Sequence, residues 1–162
     1  MSAGPIIVRR ATLADLDRIV EFNSALARES EQKVLDTPTI NSGVRQALAD
    51  PARSLYFVAE IDAAVVGQTM VTFEWSDWRN AFFWWIQSVY VDSRFRRRGV
   101  FRALHDHVRR EAHSRPDVCG LRLYVHHDNH RAMKTYAQLG MPQSEYLMCE
   151  EDWSGAEQRR EP

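Results

Sequence analysis

One continuous stretch limits this chain more than any other. Phe82 to Val91 is a run of aromatic and β-branched residues that reads as a strand. It passes into a polar turn, Asp92 to Arg98, and from Gly99 the apolar residues Val100, Ala103, Leu104, Val108 and Ala112 recur at helical spacing. A strand that feeds a helix through a short turn is a building unit of folds that pack helices on a sheet. It also leaves unpaired backbone N–H groups at the helix start, which together with the helix dipole make an anion site. Gly99 lets a ligand come close to the backbone. Arg94, Arg96, Arg97, Arg98 and Arg102 crowd the same place. They read either as a solvated basic loop or as a local anion site that suits a diphosphate.

The remaining segments build outward from that unit. Ile6 to Arg9 reads as a first strand. Thr12 and Asp15 signal a helix start, and Leu13, Leu16, Ile19, Val20, Leu26 and Ala27 give that helix one buried face to about Arg28. Residues 29–42 read as polar and irregular, with a short helix at Val44 to Ala49 stopped by Asp50-Pro51. Strands follow at Leu55 to Glu60 and Ala64 to Trp75, and after the central unit at Cys119 to Val125. Asn129 to Leu139 reads as a helix stopped by Gly140, and Ser144 to Glu150 as a last strand. The order is β-α-α-β-β-β-α-β-α-β. It predicts an α/β (α+β) fold: a mixed, mostly antiparallel sheet of six to seven strands with about four helices. One domain over residues 1–152 and a frayed tail over 153–162 are expected.

Composition excludes several classes. A net charge of −1 does not suit a general nucleic-acid coat, which would be strongly basic. Cys119 and Cys149 have no metal-type spacing and suit a reducing cytosol. The first residues carry no leader pattern, and no apolar run is long enough for a membrane span, the longest being broken by Gln68 or Gln87. A cytoplasmic location without a membrane partner is the expectation. There is no Gly-x-x-x-x-Gly-Lys-Ser/Thr and no Gly-x-Gly-x-x-Gly, which argues against a nucleotide-triphosphate loop and a dinucleotide fold. His105 and His107 point in different directions on a helix. His126, His127 and His130 lie closer together, but no carboxylate or cysteine pattern completes a zinc set, so no metal is expected.

Two motifs carry a resemblance. Arg96-x-x-Gly99-x-Phe101 resembles the Gln/Arg-x-x-Gly-x-Gly/Ala signature of the GNAT acetyltransferases. Downstream, Asn129-x-x-Ala132-x-x-x-Tyr136-x-x-x-Gly140-Met141 resembles that family's Asn-x-x-Ala-x-x-x-Tyr-x-x-x-Gly-Phe. The two stand one βαβ unit apart, and the likeness covers roughly residues 64–150. Phe101 in place of a small residue, and Ser93 where the family often has Pro, are departures.

The resemblance implies acetyl-coenzyme A as cosubstrate. Its pyrophosphate would lie in the loop of Arg96, Arg97, Arg98, Gly99, Val100, Phe101 and Arg102. Its pantetheine arm would pair with the strand holding Val89, Tyr90 and Val91, and Asn129 and Arg131 would contact it from the second motif. Tyr136 would be the acid that protonates the departing thiolate, since a phenol is protonated at neutral pH. A backbone N–H of Val89 or Tyr90 would meet the oxyanion. Many relatives carry a glutamate on this strand, where Gln87 stands here. Glu74 is the best carboxylate in the sheet for the base, with Glu29 and Glu31 as others that could act through water. Trp75, Trp78, Trp84 and Trp85 with Glu74 and Asp77 read either as a cage for a cationic amine or as sheet-face core. Alternation puts Trp84 and Trp85 on opposite faces. The acceptor-side set is then Glu29, Trp75, Trp85 and Gln87. The expected activity is acetylation of a primary amine, with a small-molecule acceptor and no nucleic-acid partner. Dimers are common in the family, and the sequence leaves a homodimer open. A non-catalytic acyl-coenzyme A sensor is the alternative.

Overall fold

The computed structural model describes residues 4–154, so the first three residues and positions 155–162 of the expected tail lie outside it. Two compact units are present, one through Tyr124 and one from Val125. In the first, β1 (Ile7–Arg10), β2 (Leu55–Ile61), β3 (Ala64–Ser76), β4 (Ala81–Val91) and β5 (Val118–Leu123) form one sheet in that order. The first four strands run antiparallel, and β5 runs parallel to β4. A parallel neighbour needs a crossover, here supplied by α3 (Val100–His113). The helices α1 (Leu16–Glu31) and α2 (Thr37–Ala49) sit between β1 and β2 in the chain. The second unit holds α4 (His130–Gln138).

The helices take opposite faces of the sheet. A Cβ placed on Gly67 of β3 would lie 2.9 Å from Val100 and 3.5 Å from Leu104, so α3 lies hard against that face, which needs glycine there. The next residue, Gln68, bonds Asn23 of α1 on the other face. Ile19 and Val44 pack with Tyr56 and Val58 beneath α1 and α2. Val100, Leu104 and Val108 are buried on the α3 side, as are Val71 and Trp84. Each such fully buried side chain contributes roughly 1.5–3 kcal/mol. No described helix is long and apolar enough to cross a membrane.

Three expectations change. The sheet has five strands among the described residues, not six to seven. The expected strand Ser144 to Glu150 is not one: Tyr146 and Leu147 are 78% and 88% exposed, and the segment makes no ladder. Residue types suited to a strand do not form one without a partner edge. The second helix starts at Thr37 rather than Val44. Asp36 caps it, accepting from the Thr39 N–H at 2.9 Å, and Pro38 occupies its first turn, where a missing N–H costs nothing.

Candidate active site

β4 and β5 part company halfway along β4. Their register runs from Phe82 opposite Val118 to Ile86 opposite Leu123 and then stops, leaving Gln87, Tyr90 and Val91 paired with β3 alone. The Asp92 N–H donates to the Val66 carbonyl, so Val91, one residue earlier, turns its polar groups the other way. Its carbonyl accepts from Arg96 Nε at 2.9 Å. β4 thus offers an open backbone edge that leads straight into the basic turn.

The turn prepares an anion site, though not with all its arginines. Arg94 is drawn back onto Asp92, donating from Nη2 at 2.7 Å and from Nε at 3.1 Å. With Arg18 adding a bond at 3.0 Å, these guanidiniums hold the Asp92 carboxyl well below the usual range. Arg96 donates from Nη2 to Glu29 at 2.6 Å. Among the described residues, Arg97, Arg98 and Arg102 form no ion pair, and all three are exposed. Gly99 takes φ +87° and caps α3 without a side chain. The first helical bond runs from the Ala103 N–H to the Gly99 carbonyl, so the amides of Val100 and Arg102 lie ahead of it. Phe101 packs beside His105, with ring centroids 6.2 Å apart.

The acceptor-side residues fall into separate groups. Glu29, at the end of α1, accepts from the Tyr90 hydroxyl at 2.8 Å as well as from Arg96; the guanidinium, more than the phenol, lowers its pKa. Burial foremost, with the bond to Glu29, raises that of Tyr90. Farther along the same face, Glu74 accepts from the Trp85 indole N–H and from Arg122 Nη1, the latter at 2.6 Å. Arg122 also lies 3.7 Å over the Phe83 ring, and Tyr124 stacks on Trp85 at 4.3 Å. Gln87 donates to the Thr72 hydroxyl at 2.6 Å.

The four tryptophans do not converge. Trp84 is buried on the α3 face against Phe73, and Trp75 packs with Phe82 on that same face. Trp78 is 86% exposed in the turn, and Trp85 lies alone on the α1 face. Sequence reasoning missed Arg122, which neutralises Glu74, and treated Gln68 only as a break in an apolar run. A glutamine set inside an otherwise apolar strand, between Val65-Val66 and Met70-Val71, was a usable signal.

In the second unit, Asn129 caps α4 by accepting from the Ala132 N–H at 3.1 Å. Gly140 closes the helix at φ +84°, with the Met141 N–H bonding the Tyr136 carbonyl at 2.9 Å. Arg131 is exposed in the first turn. Tyr136 is half-buried, and burial raises its pKa. His126, His127 and Asp128 bring possible ligand atoms within 4.8 Å of one another, Asp128 being a carboxylate the sequence reading did not give them; all three are exposed.

Comparison with known proteins gives a consistent result. The model of the acetyltransferase (GNAT) family matches residues 17–141. A possible acetyltransferase from Clostridium difficile 630 is 42% identical over 91% of this chain and 97% of that one, with a TM-score of 0.86. A predicted acetyltransferase with acetyl-CoA from Clostridium acetobutylicum shares the fold at 17% identity, covering 90% of this chain and 96% of that one, with a TM-score of 0.74. An aminoglycoside N-acetyltransferase in complex with CoA does so at 15% identity, over 94% and 97%, with a TM-score of 0.73. No curated protein sequence matches the chain.

Proposed function

The chain belongs to the GNAT acetyltransferase family, and from that premise we propose that it moves the acetyl group of acetyl-coenzyme A onto a primary amine of a small-molecule acceptor, by direct attack in a ternary complex. The observation that carries this reading is the open edge of β4 from Gln87 to Val91 running into the Gly99 helix start. An extended amide-bearing arm can pair with such an edge, and a diphosphate suits the helix terminus.

The residues divide the work. Arg97, Arg98 and Arg102, with amides of the α3 terminus, hold the diphosphate; Arg96 braces the loop against Glu29. Asn129 and Arg131 contact the cosubstrate, a role taken from the second motif. The neutral amine attacks the thioester carbon, a backbone N–H on β4 stabilises the oxyanion, the C–S bond breaks, and the Tyr136 phenol protonates the thiolate. The amine's proton leaves to solvent, and the tyrosinate takes one back from it. The Arg96 guanidinium, helped by the Tyr90 hydroxyl, lowers the pKa of Glu29 and makes it a weak base, and Glu74 is engaged by Arg122 and the Trp85 indole N–H, so both are better suited to positioning the acceptor.

Titration calorimetry with acetyl-coenzyme A and with acetylpantetheine tests the first half. Binding that needs the nucleotide diphosphate is the expected result, and no binding of either ends the proposal. A panel of amines with detection of free thiol tests the second half. Gln87, tied to Thr72 where relatives carry an acid, favours one rival, a non-catalytic acyl-coenzyme A sensor. Tight binding without thiol release across the panel would support that rival.

A further inference from the structure

Inside β4, Ser88 adopts φ +50°, a conformation non-glycine residues seldom take. The register slips there: Gln68 faces Tyr90, Met70 faces Gln87, and Ser88 and Val89 have no partners of their own. Such a bulge turns one peptide out of the ladder. What holds it is a buried polar chain. Gln68 is 0% exposed, and its Nε2 donates to the Ser88 carbonyl at 3.2 Å and to Asn23 Oδ1 at 3.0 Å. Asn23 in turn donates to the Tyr56 hydroxyl at 3.1 Å. The Gln68 Oε1 has no hydrogen-bond partner among the described residues. A buried oxygen left unanswered lowers stability, so the amide's contribution at this position lies in its two donated bonds.

A peptide unit is planar and trans, so its carbonyl and N–H point in opposite directions. The Ser88 carbonyl and the Val89 N–H belong to one unit. Fixing the first toward Gln68 directs the second away from it, in a stretch of β4 that β5 no longer accompanies.

We propose that Gln68 is a positioning residue: backed by Asn23 and Tyr56, it pins the Ser88 peptide so that the Val89 N–H is held ready to donate to the carbonyl oxygen of a bound thioester. As the amine adds to the carbonyl carbon, that oxygen becomes an oxyanion and the waiting N–H bond strengthens; Gln68 itself exchanges no proton. The inference rests on the acetyltransferase reading.

The test compares two ligands, acetyl-coenzyme A and S-ethyl-coenzyme A, in which a methylene replaces the carbonyl. Wild type is expected to bind the thioester about five-fold more tightly, the worth of one hydrogen bond. Its bound [1-13C]acetyl carbonyl stretch is expected at lower frequency than in solution. Gln68→Met, close in shape but without N–H donors, is expected to abolish both effects while its affinity for S-ethyl-coenzyme A stays within about two-fold. Gln68→Leu, which also lacks every donor, serves where the first variant does not fold. Retention of the preference and the frequency shift in either folded variant overturns the role of Gln68 and leaves the acetyltransferase reading intact. A wild type that binds neither ligand overturns both.

Discussion

Arg96 donates through Nη2 to Glu29 Oε2 at 2.6 Å and through Nε to the Val91 carbonyl at 2.9 Å, so one guanidinium ties the last turn of α1 to the end of β4. The family motif alone would assign this arginine to phosphate. Its position makes it a strut. Both side chains are nearly half exposed, which keeps the pair weak. A double-mutant cycle on Glu29→Gln and Arg96→Ala, read by urea unfolding, is expected to give a coupling of about 0.5–1 kcal/mol that shrinks at high salt. Affinity of Arg96→Ala for acetyl-coenzyme A is expected to fall by no more than about three-fold. A loss as large as that from the neighbouring arginines would return Arg96 to the diphosphate.

Those neighbours should behave differently. Arg97, Arg98 and Arg102 have no carboxylate partner among the described residues, so a bound diphosphate gains their charge without first breaking an ion pair. Alanine at each is expected to weaken acetyl-coenzyme A by about 1.5–3 kcal/mol, with a smaller salt dependence than wild type. Gly99→Ala is expected to act on the same site by another route, since φ +87° costs a side chain about 1–2 kcal/mol. Titration calorimetry at two salt concentrations separates the two: charge loss flattens the salt slope, and backbone strain leaves it unchanged.

Tyr136 is expected to act in turnover rather than in binding. Burial raises the phenol's pKa, so the group stays protonated through the neutral range and past its ordinary value near ~10. Tyr136→Phe should lower kcat by about 10²-fold or more while acetyl-coenzyme A affinity hardly changes. In wild type the alkaline limb of the kcat profile should fall only above the ordinary tyrosine range. Full activity in the phenylalanine variant would remove Tyr136 from the chemistry.

The parts of this fold that sequence made legible are those carried by short-range pattern. The aromatic and β-branched run of Phe82 to Val91, the helical spacing from Val100 to Ala112, and Gly99 between them sufficed for β4, the basic turn and α3. The start of α2 was missed although Asp36 and Pro38 signalled it, because the polarity of the preceding residues outweighed two local cues. Ser144 to Glu150 has the residue types of a strand, but pairing depends on an edge elsewhere in the chain. The same limit applies to the site. Five arginines look alike in sequence. Which of them are taken by Asp92 and Glu29 depends on where β4 ends and where α1 stops. Gln68 meets Ser88, twenty residues further along the chain, only through a slipped register, which composition does not encode.

Thr12 and Asp15 form the fold's first corner, between β1 and the first helical segment. Asp15 is 6% exposed and accepts from both Arg9 terminal nitrogens at 2.8 Å and from the Thr12 N–H at 2.8 Å, while the Thr12 hydroxyl accepts from the Ala14 N–H. This capping box starts the helical segment and fastens β1 to it, with Glu60 of β2 completing the ion-pair cluster. The Arg9 bonds, more than the backbone bond, lower the Asp15 pKa. A carboxyl with a depressed folded-state pKa contributes its stability in full above its unfolded value near ~3.9 and loses it as pH falls through the folded value. Asp15→Ala is therefore expected to cost about 2–3 kcal/mol at neutral pH, from one cap and one buried charged partner together. That difference from wild type should narrow steadily as pH falls below about 4, where the aspartate of the unfolded chain takes up its proton first, and vanish only below the depressed folded-state value. Urea unfolding of both proteins at pH 7 and below pH 4 measures it. A gap that stayed constant with pH would mean that the box holds through shape and the Thr12 bond alone, with no share from the charge on Asp15.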